Sequence, residues 1–241
     1  KRMIFTLFAE AALVFAASFV SPNLSAVLSA AGIACGIALT AFNRNKSPGG
    51  QTDFAHLAER AMLYVVFTFG EMIIAVSSYF VGDGSFDMTV VYFSLMAFLI
   101  VVGLFLIYGF FYDRLLDTEG DFDGMLYMAV HIFIVLALNN ITAALEFMRE
   151  PEVALMPKIA FLVASVIAFF VFLCSLGIYT KNRCALTKKF IASLSGAAVI
   201  FILLMLLLRE NMYLNILVTV LFVFSVFLIT FLTYRKVKRN A

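Results

Sequence analysis

Long apolar stretches recur along the whole chain, and they constrain its fold more than any other feature. Short polar segments separate them, and each is about as long as the roughly 20 apolar residues that cross a bilayer as a helix. Hydrophobic residues make up 64% of the chain and charged residues 13%, against about 45–50% and about 25% in soluble domains. The sequence therefore predicts an all-α, polytopic transmembrane helical bundle in a single domain over residues 1-241. We predict about eight spans, at residues 3-20, 24-42, 54-80, 88-112, 125-148, 159-180, 190-208 and 213-234.

The basic residues predict how these spans are oriented. Lysine and arginine are enriched on the cytoplasmic side of membrane proteins. With eight spans, the two termini and the loops after the second, fourth and sixth spans share one side, together with most of the 17 basic residues. The loops on the other side hold Arg149, Lys158 and Arg209. We therefore expect both termini to be cytoplasmic.

Charge and cysteine content narrow the set of partners. A net charge of +2 gives no case for a nucleic acid partner. Cys35, Cys174 and Cys184 are scattered without metal-ligand spacing, and the acidic loop 113-124 lacks the ligand spacing of an EF-hand. We predict no metal and no cofactor. The expected partners are membrane lipid, a small solute or ion, and further copies of the chain.

The third predicted span carries charges inside an apolar stretch. At about 100° per residue, Gly70 and Glu71 share one third of the helix circumference with His56 and Arg60, and Glu59 lies beside them. Charged groups within a bilayer are costly and usually face a protein interior or a water-filled cavity. A desolvated Glu71 carboxylate can exchange a proton, and Gly70 leaves room for a substrate or another backbone. A structural hydrogen bond from Glu71 to a neighbouring helix is the alternative.

An alignment of the first span with the third predicts how deep Glu71 lies in the membrane. Aligning Glu10 with Glu71 also pairs Phe8 with Phe69, which is the pattern expected of two parallel helical hairpins. This alignment places the cytoplasmic boundary of the third span near Ala61, so Glu71 lies about 15 Å deep, near the bilayer midplane. Glu10 becomes its counterpart in the first span.

Two further groups of polar residues are candidates for functional sites. His56, Glu59 and Arg60 have the spacing of helix neighbours, so they form either a cytoplasmic gate or ligand site, or an ion-pair cluster in which Asp113 pairs with Arg60. The fifth span contributes the remaining residues, His131, Asn139 and Glu146. His131 is either a proton relay or a satisfied packing residue, and Asn139 can hydrogen-bond between helices.

Three segments resemble a known family. The stretch HLAERAMLYVVFTFGE is similar to the H-x-x-E-R … G-E signature of the bacterial low temperature requirement A (LtrA) family of membrane proteins. LIYGFFYD and YMAVHIFIVLALNNITAALEF resemble its aromatic segment and its later histidine-containing helix. The resemblance covers roughly residues 54-146 and implies a multi-pass protein of the bacterial inner membrane.

Three functions are compatible with these patterns. The first is a secondary transporter or channel-like carrier of a small solute or ion, proton-coupled through Glu71. The second is a membrane enzyme acting on a lipid or isoprenoid head group, with His56, Glu59 and Asp113 at a cytoplasmic site. The third is a structural or sensory subunit. We favour transport over catalysis and assign no catalytic residue.

Overall fold

A computed structural model describes most of the chain from residue 53 onwards. The described residues are 8, 11-12, 15-17, 19-21, 24-25, 27-29, 31-32, 34-36, 53-79, 88-120, 122, 124-150, 152-181 and 187-240. Two compact units are present, Lys1–Thr52 and Asp53–Ala241. The first two predicted spans, 3-20 and 24-42, lie largely outside the described residues, as does Glu10.

Six long helices form the described part of the second unit. They are α1 (Phe54–Ser78), α2 (Met88–Phe110), α3 (Gly124–Arg149), α4 (Leu155–Ser175), α5 (Lys188–Leu207) and α6 (Met212–Asn240). A π-helical turn, Phe111–Leu115, extends α2, and a 3-10 turn, Leu176–Tyr179, extends α4. Each of the six is long and apolar enough to cross a membrane. The all-α membrane fold is therefore confirmed, with helices at the third to eighth predicted spans.

Asp53 caps the N-terminus of α1, which agrees with its acidic side chain and its position just before the helix. Its Oδ1 accepts a hydrogen bond from the His56 backbone N–H at 3.2 Å, which satisfies one of the unpaired donors in the first helical turn. We expect Asp53→Ala to lower the free energy of unfolding by about 0.5–2 kcal/mol. Thermal unfolding in detergent measures this. Asp53→Asn keeps the cap without the charge and should lose much less, so equal losses would contradict the capping role.

Contacts at the helix ends show that the six helices alternate in direction. The rings of Phe54, Phe122, Tyr127 and Tyr179 pack together, joining the starts of α1 and α3 to the end of α4. We call this group the aromatic cluster and its side of the bundle the aromatic end. A short antiparallel bridge between Leu116 and Thr180 ties α2 to α4 at the same end.

At the opposite end, different residues join the helices. The Arg149 guanidinium lies 4.5 Å from the centre of the Tyr79 ring, which links the end of α3 to the residue that follows α1. The rings of Tyr92 and Tyr213 are 5.8 Å apart, which links the starts of α2 and α6. Both sets of contacts fit the alternation that the predicted spans require.

Helix α3 packs between α1 and α4, whereas α2 packs on α1 and α6, and α5 packs on α6. Helices α2 and α6 approach closely at Gly103, where a Cβ atom would lie 2.6 Å from Cγ1 of the fully buried Val223. Small residues at membrane helix interfaces let backbones approach in this way. Gly103 therefore sets the spacing between α2 and α6.

Candidate functional site

Helix α1 buries one face and exposes the other. The buried face includes Ala61, Phe69 and Met72. Every polar residue singled out on this helix is exposed, and these are His56, Glu59, Arg60, Gly70 and Glu71. We call this set the α1 polar face. It lies outside the packed core of the unit Asp53–Ala241.

Glu71 occupies an open position on this face. It lies seven positions before the end of α1 at Ser78, a distance of about 10 Å along the helix axis. A Cβ atom added to Gly70 would meet nothing within 4 Å, so space is open beside the carboxylate. Within the described residues, Glu71 has neither a hydrogen bond nor an ion pair. None of the described residues therefore pairs with the carboxylate on this side of the helix.

The start of α1 carries an exposed charged group. His56 Nε2 lies 3.7 Å from Asp53 Oδ2, and its Nδ1 lies 3.7 Å from Glu59 Oε2. Arg60 and Asp113 are exposed as well, but no ion pair joins them, so the pairing considered from the sequence is not formed. Exposed charges gain little from pairing because water screens them. Among the described residues, no three His, Cys, Asp or Glu side chains are grouped as metal ligands.

His131 lies in the core and forms hydrogen bonds through both ring nitrogens. Its Nδ1 donates to the Tyr127 carbonyl at 2.8 Å. Because a carbonyl can only accept, the hydrogen is on Nδ1, and Nε2 accepts from the Tyr108 hydroxyl at 3.1 Å. The side chain is 3% exposed. This arrangement satisfies a buried polar ring and links α2 to α3.

Glu71 and His131 lie on different sides of α1. Phe69, on the buried face, packs near the ring of Tyr108, which bonds to His131. Glu71 follows two residues later and is therefore about 200° around the helix, on the exposed face. The structure does not bring these two predicted proton-carrying groups together.

Asn139 and Glu146 are exposed on α3, about 10 Å apart along its axis. Glu146 lies close enough to Tyr79 to interact with it electrostatically, and Arg149 covers the Tyr79 ring. Glu146 and Arg149 therefore place a second polar region where the ends of α1 and α3 meet, whereas Asn139 lies about 15 Å before the end of α3.

Sequence reasoning missed several of these contacts. Tyr108 was not singled out, since nothing in its local sequence reveals that it faces a histidine 23 positions later. The sequence predicts Lys158 in a loop, but the residue lies in the first turn of α4 and is 5% exposed. Its Nζ donates a hydrogen bond to the Glu150 carbonyl. The predicted span began one residue too late to include it. The Tyr127–His131 spacing of four residues was the one local signal available.

Comparison with known proteins extends the resemblance seen in the sequence. The sequence model of the family described as "Bacterial low temperature requirement A protein (LtrA)" matches residues 1–230. No curated protein and no solved structure matches the chain. The match covers nearly the whole chain, rather than the central residues 54-146 alone, and the described helices are those of a multi-pass membrane protein. The chain belongs to the bacterial low temperature requirement A (LtrA) family.

Proposed function

We propose that this protein is a secondary carrier of a small solute or ion in the bacterial inner membrane, coupled to protons through Glu71. Both termini are cytoplasmic in this proposal, and the aromatic end is the cytoplasmic end. The carboxylate binds a proton on one side of the membrane and releases it on the other. A carrier needs such a group within the span, where its protonation can follow the movement of the substrate.

The placement of Glu71 beside the open space at Gly70 is the observation that carries this proposal. Glu71 is within a membrane-spanning helix, is exposed, and has no partner among the described residues. A structural carboxylate in a membrane is expected to be buried against a hydrogen-bond donor instead. The free space at Gly70 gives a substrate access to the same level of the helix.

The rest of the α1 polar face supplies an entry at the helix start. His56, Glu59 and Arg60 are on the same exposed side as Glu71, about 16–22 Å from it along the axis. Their mixed charges suit contact with an ion or polar solute before it moves deeper. His131 has no part in this path, because both its nitrogens are engaged in the core and α1 lies between it and Glu71.

Proteoliposomes with a trapped pH-sensitive dye test the proposal. Under imposed ion gradients, wild-type protein should move protons, and Glu71→Gln should reduce the rate at least about tenfold, as the loss of an essential proton-transfer group does. Glu210→Gln makes the same chemical change in the exposed turn between α5 and α6 and should leave the rate unchanged.

The variant Gly70→Leu provides a second test of the proposal. Because a Cβ atom at this position would meet nothing within 4 Å, the variant should keep the thermal stability of wild type while obstructing access to Glu71. We expect its rate to fall. Equal proton movement in wild type, Glu71→Gln and Gly70→Leu would overturn the proposal.

A further inference from the structure

A cavity at the aromatic end is separate from the α1 polar face. It lies between the ends of α2, α4 and α6 and the start of α5, and it is partly open to the outside, with a volume of about 620 Å³ that includes the open part. The deep part is formed by apolar side chains, among them Ile107, Phe170 and Val226. From Val226 to Tyr234 along α6 the cavity extends about 12 Å, parallel to the helices. Its shape and lining suit a hydrocarbon chain.

Residues with hydroxyl groups line the outer end of the cavity. These are Thr180, Thr233 and Tyr234, at the ends of the helices where a membrane span meets the polar interface, and the Thr180 and Thr233 hydroxyls donate to the Gly177 and Ile229 carbonyls. A mostly apolar lining that opens at the membrane interface suits the hydrocarbon chain of an amphiphile rather than a soluble anion.

Three cations lie at this end of the bundle, each one position in the sequence from a residue that lines the cavity. They are Lys181 after Thr180, Lys189 before Phe190 and Arg235 after Tyr234, and the Arg235 guanidinium lies 5.6 Å from the centre of the Phe231 ring. All three side chains are exposed. In the part of the chain that the structure describes, none is paired with a carboxylate. We call these residues the cationic rim.

We infer that this cavity binds an anionic membrane lipid, with a hydrocarbon chain between α4 and α6 and the head group at the cationic rim. Basic residues near the membrane surface attract anionic lipids, and basic pockets between spans bind their head groups. The hydrocarbon chain of the lipid gains dispersion contacts with the side chains that line the cavity. The rim alone would attract any anionic surface, but the cavity beside it selects one lipid molecule in one position.

Native mass spectrometry of the purified protein tests this inference. The protein is mixed in detergent with phosphatidylglycerol or phosphatidylcholine of identical chains. We expect wild type to hold one phosphatidylglycerol at least about tenfold more tightly than phosphatidylcholine, given three cations at the head group.

Two kinds of variant separate the cavity from the rim. Cys174→Phe and Thr230→Phe fill the cavity from α4 and α6 and leave the rim unchanged, so both should lose the bound lipid. The triple variant K181Q/K189Q/R235Q leaves the cavity unchanged, so it should bind the two lipids equally. Ala197→Phe, in a groove between α5 and α6 elsewhere on the surface, is the matched control and should bind as wild type does.

The outcomes are distinct. Unchanged phosphatidylglycerol binding in both cavity-filling variants would overturn the inference, because lipid would then bind by surface charge alone. Persistent preference for phosphatidylglycerol in the triple variant would overturn the role of the rim. Thermal unfolding shows whether each variant is folded, and Thr230→Phe serves if Cys174→Phe is not. Since the readout is lipid binding, the result is independent of the transport proposal.

Discussion

Replacing Gly103 with leucine is expected to destabilise the bundle strongly. The added Cβ atom alone would lie 2.6 Å from Cγ1 of Val223, well inside van der Waals contact, and the rest of the leucine side chain needs still more room. Val223 is fully buried and has a stiff, β-branched side chain, so it cannot move aside. Helices α2 and α6 must separate instead. Overpacking of this kind costs about 1–3 kcal/mol or more.

Thermal unfolding in detergent, followed by circular dichroism, measures this loss. Gly196→Leu is the matched control, since a Cβ atom at Gly196 on α5 would meet nothing within 4 Å. We expect Gly196→Leu to unfold close to the wild-type temperature and Gly103→Leu to unfold well below it. Similar unfolding temperatures for the two variants would show that α2 and α6 do not pack closely at Gly103.

Removing either partner of the Tyr108–His131 hydrogen bond should be costly, and removing both should cost little more. His131→Leu leaves the Tyr108 hydroxyl buried without an acceptor, and Tyr108→Phe leaves His131 Nε2 without a donor. A buried polar group left unsatisfied costs about 1–3 kcal/mol. The double variant has neither unsatisfied group, so its loss should be smaller than the sum of the two single losses.

A double-mutant cycle on unfolding free energies measures the coupling directly. Additive losses would mean that the hydrogen bond contributes nothing to stability. The same variants test the role of His131 in proteoliposomes. If His131 is structural, folded Tyr108→Phe protein should move protons at the wild-type rate, whereas a rate as low as that of Glu71→Gln would place His131 in the proton path after all.

The spans were predictable because hydrophobicity and helix capping are local properties. A stretch such as Met88–Phe110 is apolar on every side, so its length alone identifies it as a membrane helix. Asp53 could be recognised as a cap from its position before the first apolar turn. The grouping of His56, Arg60 and Glu71 on one side of α1 also follows from the helical period, whatever the rest of the chain does.

The surroundings of those residues could not be predicted in the same way. The sequence predicts both Glu71 and His131 to be proton-carrying groups within spans. In the structure, Glu71 is exposed, whereas His131 is 3% exposed and forms hydrogen bonds through both ring nitrogens. The difference depends on which face of each helix turns towards its neighbours. For Lys158, a shift of a few residues in the start of α4 changed a predicted loop residue into a buried one.

The sequence by itself determined that the chain crosses the membrane repeatedly, where the helices of the described unit lie, and which side chains share a helix face. Only the tertiary structure decided that Tyr108 meets His131, that the aromatic cluster joins three helices, and that a cavity forms beside the cationic rim. The physical reason is that hydropathy and helical period act over neighbouring residues, whereas these contacts depend on how every helix is rotated and placed beside the others. In a membrane, where lipid is as apolar as the helices, that choice is made by close packing and hydrogen bonds between helices.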